Sequence, residues 1–420
     1  MLQMKDSGIE WVGSVPMHWG VKPIRAAFYE VTQKNTTGEE KTALKFTYGQ
    51  IIRKDNFDAD DDNYVANTIL NYTIVSPGTI MLNGLNLNFD FVTQRIGLVN
   101  ETGVITSAYM AFHPLDDSVL PQYATYLFKS YDNIKAFHNM GGGVRKILNF
   151  SELKKKYFLL PPLPEQKKIV SFLDMKCSEI GTLIADIQAQ IDTLEQYKRS
   201  VITEAVTKGL NPDAEMCDSN VQWVGMMPSH WDCQRGKYIL RYLQKPVRDD
   251  DGVITCFRDG EVTLRSNRRE EGFTMADKEI GYQGIDVGDL VVHGMDGFAG
   301  AIGISDSRGK ASPVLNVLET KQNKRYIMYY LRSMAYNDVF VALATGIRVR
   351  SCDLRWNKLA ELLYPLPPVD EQEAIVEYID SVLERTNAVI ADKKQQIDTI
   401  EEYKKSLIFE YVTGKKEVNA

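Results

Sequence analysis

The sequence predicts an α+β protein: two mixed, strand-rich domains related by an internal pseudo-twofold duplication, with two long helices that pair as a coiled coil. Three observations carry this expectation. A tryptophan-centred motif occurs twice, about 210 residues apart. Two proline-led stretches of heptad-spaced apolar residues keep a similar period. The residues between them are rich in β-branched and aromatic types and are broken by turn signals.

Bulk properties bound the function. At 420 residues the chain is too long for one ordinary core. Its apolar fraction of 44% and charged fraction of 25% are those of a globular protein, and no apolar run is long enough to cross a bilayer. The first ten residues are polar and lack the apolar segment of a secretory signal, so a cytoplasmic protein without a membrane partner is expected. Cys177, Cys217, Cys233, Cys256 and Cys352 are odd in number and scattered, which fits indifferent thiols better than zinc or redox sites. A net charge of −7 excludes a generally basic surface. Any nucleic-acid contact must then come from local patches.

Taken in order, the first motif is Trp11-Val12-Gly13, then Pro16, His18 and Trp19; it returns as Trp223-Val224-Gly225, then Pro228, His230 and Trp231. Four of the five tryptophans belong to it. Each Trp and His reads as a packed anchor at a domain edge rather than as a ligand. The strand-rich stretches that follow share framework positions: Val75, Gly78, Ile80, Asn83 and Gly84 answer Ile285, Gly288, Leu290, His293 and Gly294. Each stretch ends in Gly-x-Arg (Gly143-Val144-Arg145 and Gly346-Ile347-Arg348) and then in Leu160-Pro161-Pro162 with Glu165-Gln166, or Leu366-Pro367-Pro368 with Glu371-Gln372. Proline at a helix start loses no needed N–H, and a first-turn glutamate suits the positive end of the helix dipole.

The helix expected over Pro164 to Lys208 carries Leu173, Ile180, Ile187, Leu194 and Val201 at steps of seven, with Cys177, Ile184 and Ile191 between. At about 1.5 Å per residue it would span roughly 66 Å. Its partner stripe is Val376, Leu383, Ile390 and Ile397. The boundaries expected are 1–160 and 210–366 for the strand-rich domains, and 161–209 and 367–420 for the helices. Two related but unequal domains on a rod imply two short reading surfaces more than one DNA turn (about 34 Å) apart, and so an asymmetric split site around an unspecified spacer.

This ordered set of motifs resembles the specificity subunit of type I restriction-modification systems over essentially the whole chain. The resemblance implies two target-recognition domains, each reading one half-site of double-stranded DNA, held apart by antiparallel helices. It also implies two methyltransferase subunits that methylate adenine, and restriction subunits that complete a nuclease. S-adenosylmethionine and ATP with Mg are expected in those partners, and no cofactor in this chain.

The candidate DNA contacts are Arg145 and Lys146 after the triple glycine, Lys154 in a lysine run, and Arg348, Arg350 and Arg355 at the matching place in the second half. Arg265, Arg268 and Arg269 form a further cluster, and Asn83 and His293 occupy matched places beside a glycine. Any one of these arginines could equally be a solvated or salt-bridged surface residue. No catalytic chemistry emerges: there is no Asn-Pro-Pro-aromatic or Asp-Pro-Pro-aromatic tetrapeptide, no Gly-x-x-x-x-Gly-Lys-Ser/Thr loop and no His-Glu-x-x-His site. The five histidines lack metal-ligand spacing, and the Asp58, Asp60, Asp61, Asp62 cluster lacks the glycine and distal glutamate of a calcium loop. The chain reads as a DNA-recognition adaptor rather than an enzyme. A coiled-coil scaffold that binds proteins alone, or a methyltransferase with divergent motifs, are the competing readings.

Overall fold

The structure is a computed structural model that describes residues 3–54, 69–87, 94–141, 146–268, 280–343 and 354–418. Contacts divide the chain into two compact units. Unit 1 comprises Met1–Ile187 with Gln395–Ala420, and unit 2 comprises Gln188–Lys394. Each is an α+β unit that holds part of both long helices.

Unit 1 opens with β1 (Met4–Asp6) paired to β2 (Ser14–Pro16), followed by β3 (Gly20–Pro23) and β4 (Phe28–Glu30). The hairpin of β5 (Leu44–Thr47) and β6 (Gln50–Arg53) turns at Tyr48 and Gly49, both with positive φ, as a tight two-residue hairpin turn requires. Then come β7 (Thr73–Val75), β8 (Ile80–Leu82), β9 (Ile96–Leu98), β10 (Gly103–Ile105), β11 (Met110–Pro114), helix α1 (Pro121–Asn133) and β12 (Tyr157–Leu160). The central antiparallel sheet has the order β4-β11-β8-β9, while β7 pairs with β10 and β12 returns to β3. Strand β8 is buried on both faces. By the two-residue period of a strand, Ile80 and Leu82 face the core beneath α1, and Met81 faces a second cluster with Leu44 and Val75. The main core is aromatic: Phe28 meets Phe112 and Phe158 edge to face, with centroids 5.5 and 5.0 Å apart. Helix α1 starts at a proline that sacrifices no intrahelical bond, and it buries Tyr123, Leu127 and Tyr131 at steps of four. Strand β12 leads into helix α2 (Leu163–Lys208), of 46 residues.

Unit 2 repeats this order. Its strands are β13 (Met216–Asp218), β14 (Met226–Pro228), β15 (Asp232–Arg235), β16 (Leu240–Leu243), β17 (Ile254–Cys256), β18 (Val262–Leu264), β19 (Gln283–Ile285), β20 (Leu290–His293), β21 (Ile302–Ile304), β22 (Gly309–Ala311) and β23 (Leu315–Thr320). Helix α3 (Lys324–Tyr336), strand β24 (Leu363–Leu366) and helix α4 (Val369–Val412) complete it. The central sheet is β16-β23-β20-β21, with pairs β13-β14, β15-β24, β17-β18 and β19-β22. Leu290 and Val292 of β20 face the core under α3, and Val291 faces a second cluster with Ile254 and Ile285.

The heptad stripe accounts for part of the long-helix packing. Leu173, Ile180, Ile187, Ile191 and Val201 are buried, whereas Leu194, Cys177 and Ile184 are half-buried. Toward their ends the helices bury a wider face. In unit 1, Ile169, Val170 and Leu173 share one core with Leu407, Ile408 and Val412, and Phe172 lies against Tyr411 with ring centroids 4.4 Å apart. In unit 2, Ile202, Ala205 and Val206 share one with Ile375, Val376 and Ile379. Glycine stops both helices: Gly209 at φ 74° and Gly414 at φ 68°. No helix of the described residues is long and apolar enough to cross a membrane.

Two glycines give opposite expectations. Gly414→Ala would force a side chain into left-handed backbone and into the Pro16 ring, so stability should fall by at least the roughly 1–2 kcal/mol that left-handed backbone costs an L-residue. Gly181, mid-helix in α2, has open space where a Cβ would stand, so Gly181→Ala should stabilise by about 0.5–1 kcal/mol. Thermal unfolding of the two variants against wild type checks both signs.

Candidate nucleic-acid interface

A reading surface must first be held to its scaffold. The indole Nε1 of buried Trp19 donates to Glu165 Oε2 at 2.8 Å, and His18 Nε2 lies 2.7 Å from Glu165 Oε1. In unit 2 Trp231 Nε1 donates to Glu371 Oε1 at 3.1 Å, and His230 Nε2 is 2.8 Å from Glu371 Oε2. Each carboxylate sits in the first turn of a long helix, where the helix dipole favours it. The neighbouring glutamines are fully buried and equally committed. Gln166 Oε1 accepts from Leu120 N at 2.8 Å, the N-cap of α1, and its amide donates to Ser118 O and Pro161 O. Gln372 Oε1 accepts from Asn323 N at 3.0 Å, the N-cap of α3, and its amide donates to Gln322 Oε1 and Pro367 O. Helices α1 and α3 are thereby each tied to the start of a long helix. Gly13 and Gly225, at φ 70° and 68°, turn the chain within the tryptophan motif, and Pro16 and Pro228 pack beside Gly414 and Gly209. Trp11 meets Tyr131 edge to face, and Trp223 Nε1 donates to Tyr330 Oη at 3.0 Å.

In unit 1, Asn83 follows β8. Its Oδ1 accepts from Leu85 N at 3.1 Å, and its main-chain N–H donates to Arg95 O at 2.9 Å. The Arg95 guanidinium, buried behind the loop, donates to Asn83 O and Leu85 O at 2.9 and 2.7 Å. Gly84 O accepts from Leu148 N at 2.9 Å, and a Cβ at Gly84 would collide with Leu148 O. This close approach lays the segment after Gly-x-Arg along the Asn83 loop, with exposed Lys146 held at φ 39°. Lys154 is exposed at the end of the short helix Phe150–Leu153, and its carbonyl accepts from Arg25 N at 3.1 Å. Arg145 lies outside the described residues.

In unit 2 the same main-chain pattern recurs with other side chains. His293 N donates to Ala301 O at 3.0 Å, Leu354 N donates to Gly294 O at 2.8 Å, and Arg355 packs beside Gly294. His293 Nδ1 accepts from Asp296 N at 2.9 Å and Met295 N at 3.2 Å. Burial pushes its pKa below the ordinary value against the pull of Asp296, and the two N–H donors on Nδ1 place the ring proton on Nε2, which lies 3.8 Å from Asp296 Oδ2. His293, Arg265 and Arg268 line one pocket of about 550 Å³ together with Arg258. Arg268 stacks over Phe257 at 4.2 Å and pairs with Asp259 at 2.6 Å and Glu261 at 3.1 Å. Arg258 pairs with Asp296 at 2.9 Å, and Arg265 Nε donates to Thr255 Oγ1 at 3.3 Å. Cys256 in the wall is buried, and burial pushes its thiol well above the usual range, so it stays protonated. Arg269, Arg348 and Arg350 lie outside the described residues. Arg258 and the buried Arg95 escaped the sequence reading: one stands alone in a polar segment, and the other reads as an ordinary surface cation.

Residues 90–193 match the family of type I restriction modification DNA specificity domains. Over most of its length the chain is similar to type I restriction enzyme specificity subunits. A Methanocaldococcus jannaschii chain provisionally named as the type I restriction enzyme MjaX specificity subunit is 21% identical over 427 residues, which cover 96% of this chain and 95% of that one. The MjaVIII specificity subunit of the same organism is 23% identical over 76% of this chain and 75% of its own. A chain solved in work on complex assembly and conformational transition of the type I R-M system shares the fold, with a TM-score of 0.67 at 12% identity over 96% of this chain and 99% of that one. The HsdS subunit from Thermoanaerobacter tengcongensis gives 0.47 at 12% identity over 96% and 98%.

Glu165→Ala should leave the buried Trp19 N–H without its acceptor, at a cost of about 1–3 kcal/mol. Glu165→Gln keeps one acceptor oxygen and should cost less. Comparing the unfolding midpoints of the two variants, with Trp19 emission as the local probe, checks this ordering.

Proposed function

We propose that the chain is the DNA-specificity subunit of a type I restriction-modification complex. It recognises an asymmetric double-stranded site in two halves around an unspecified spacer, and it scaffolds two methyltransferase subunits and the restriction subunits. The observation that carries the reading is the match of residues 90–193 to the DNA specificity domain. That stretch includes β9 to β12 and the first part of α2, and with them the Gly-x-Arg segment and the helix-start motif of unit 1. Unit 2 carries the same ordered set of elements, which supports an internal duplication with one reading head per unit. In each unit the early part of one long helix shares a core with the late part of the other, which supports antiparallel pairing as the spacer. In this reading the chain carries no catalytic group of its own. S-adenosylmethionine and ATP with Mg act in the partner subunits, and the complex works in the cytoplasm.

Lys146, with Arg145, serves the first half-site, and Arg265, Arg268, His293 and Arg355, with Arg269, Arg348 and Arg350, serve the second. Asn83 shapes the first reading loop, and Lys154 meets phosphate. A bidentate arginine on guanine would discriminate by about 1–3 kcal/mol, whereas a phosphate contact adds affinity without choice.

Genome-wide mapping of methylated adenines with and without this gene should show one split motif vanish. Replacing residues 20–151 by the matching part of a relative should then alter one half of that motif and leave the other intact. Loss of no motif, or a change in both halves, would overturn the assignment. A four-residue insertion in each long helix adds about 6 Å of rise and should change the spacer length in the same map.

A further inference from the structure

Unit 2 has a second, larger groove of about 1010 Å³ along α2, and its lining includes Arg258 and Asp259, which also line the His293 pocket. The two concavities therefore share a wall at Arg258 and Asp259. On the helix side the groove presents Lys198 and Arg199, and on the domain side Arg332 and Tyr336 of α3. The Tyr336 ring takes contacts from two guanidiniums, with Arg199 at 5.3 Å and Arg332 at 5.7 Å from its centroid. Arg332 is fixed by Nε donating to Tyr336 Oη at 2.9 Å and Nη2 to Asp259 O at 2.6 Å. Lys198 is held by Glu195 at 2.9 Å.

Arg199 differs from these. Its side chain is exposed, and among the described residues it has the face of Tyr336 as its contact and no carboxylate partner. A guanidinium positioned by an aromatic ring, with its donors unspent, is preorganised for an anion. Two of the groove's acids are neutralised, Glu195 by Lys198 and Asp259 by Arg268; Asp338 is the acid left facing it. We propose that this groove receives the phosphodiester backbone of duplex DNA where it leaves the half-site read by unit 2, with Arg199 making a phosphate contact that carries no sequence choice. The proposal rests on the DNA-specificity reading above. It extends the interface from the recognition domain onto the central helix.

The test uses the full chain in its assembled complex, with a duplex bearing the mapped motif and a scrambled duplex of equal length, titrated from low to moderate salt. Arg199→Ala should weaken binding to both duplexes by the same several-fold factor and reduce the salt slope by about 1. Arg199→Lys should keep the slope, and Asp338→Asn should tighten both duplexes. Unchanged affinity and slope in Arg199→Ala, with the helix content of wild type by circular dichroism, would overturn the groove assignment alone. Loss confined to the motif duplex would make Arg199 a base reader and overturn the phosphate role. A wild-type complex that does not distinguish the two duplexes would sink the DNA-specificity reading itself.

Discussion

Two buried indole N–H groups constrain this molecule more than any other feature. Trp19 and Trp231 are large, almost wholly buried rings, each with one polar atom, and a buried donor without an acceptor is costly. In both cases the acceptor is a carboxylate in the first turn of a long helix, Glu165 or Glu371, which a histidine also contacts. The same rings close over helix ends. Trp19 and Pro16 crowd Gly414 in unit 1, and Trp231 and Pro228 crowd Gly209 in unit 2, so a side chain larger than hydrogen at either glycine meets them. One ring thereby fixes a helix start and a helix stop at once.

From that point the order spreads outward through short, fully used contacts. Gln166 and Gln372 pass it to the N-caps of α1 and α3. Tyr126 and Tyr329 then return to the long helices by donating to Asp174 at 2.7 Å and Asp380 at 2.5 Å. Helices α1 and α3 are each held at the start and along the length, and the central sheet packs beneath them. Such a platform leaves the loops beyond β8 and β20 free to differ without disturbing the anchor.

The sequence displayed the anchors but not their partners. The recurrence of Trp, Pro and His at fixed offsets is visible in the chain, because local spacing survives duplication. That Trp19 would meet Glu165 is not, because the two are 146 residues apart and only the folded chain brings them together. The heptad stripe from Leu173 to Val201, most of whose residues are buried, was legible. Ile169, Ile202, Ile375 and Ile379 were not, because those turns pack against a globular unit and need a wider face. Helices α1 and α3 were submerged in the strand-rich reading, since their tyrosines and phenylalanines favour strands by local preference and are helical through burial. Asn83 as a loop former was within reach, for its acceptor serves a residue two positions on, a local turn that asparagine commonly makes.

The acidic balance of the chain bears on how the candidate surface would work. Most cations at the unit 2 pocket are already matched: Arg268 by Asp259 and Glu261, and Arg258 by Asp296. Exchanging an internal carboxylate for a phosphate gains little net Coulomb energy, and a displaced acid then faces the DNA at close range. Matched cations therefore make poor sources of sequence-independent affinity. What the pairing does supply is position: Arg268 is clamped between two carboxylates and the face of Phe257, so little rotamer entropy would remain to be lost on meeting a base edge in the proposed reading. His293 gains the same fixity from two main-chain donors to Nδ1, which also dictates that Nε2 offers a proton. A surface built this way discriminates better than it attracts. In the proposed reading the attraction would come from cations that no acid holds, and Arg199, on the face of Tyr336, is one of these among the described residues.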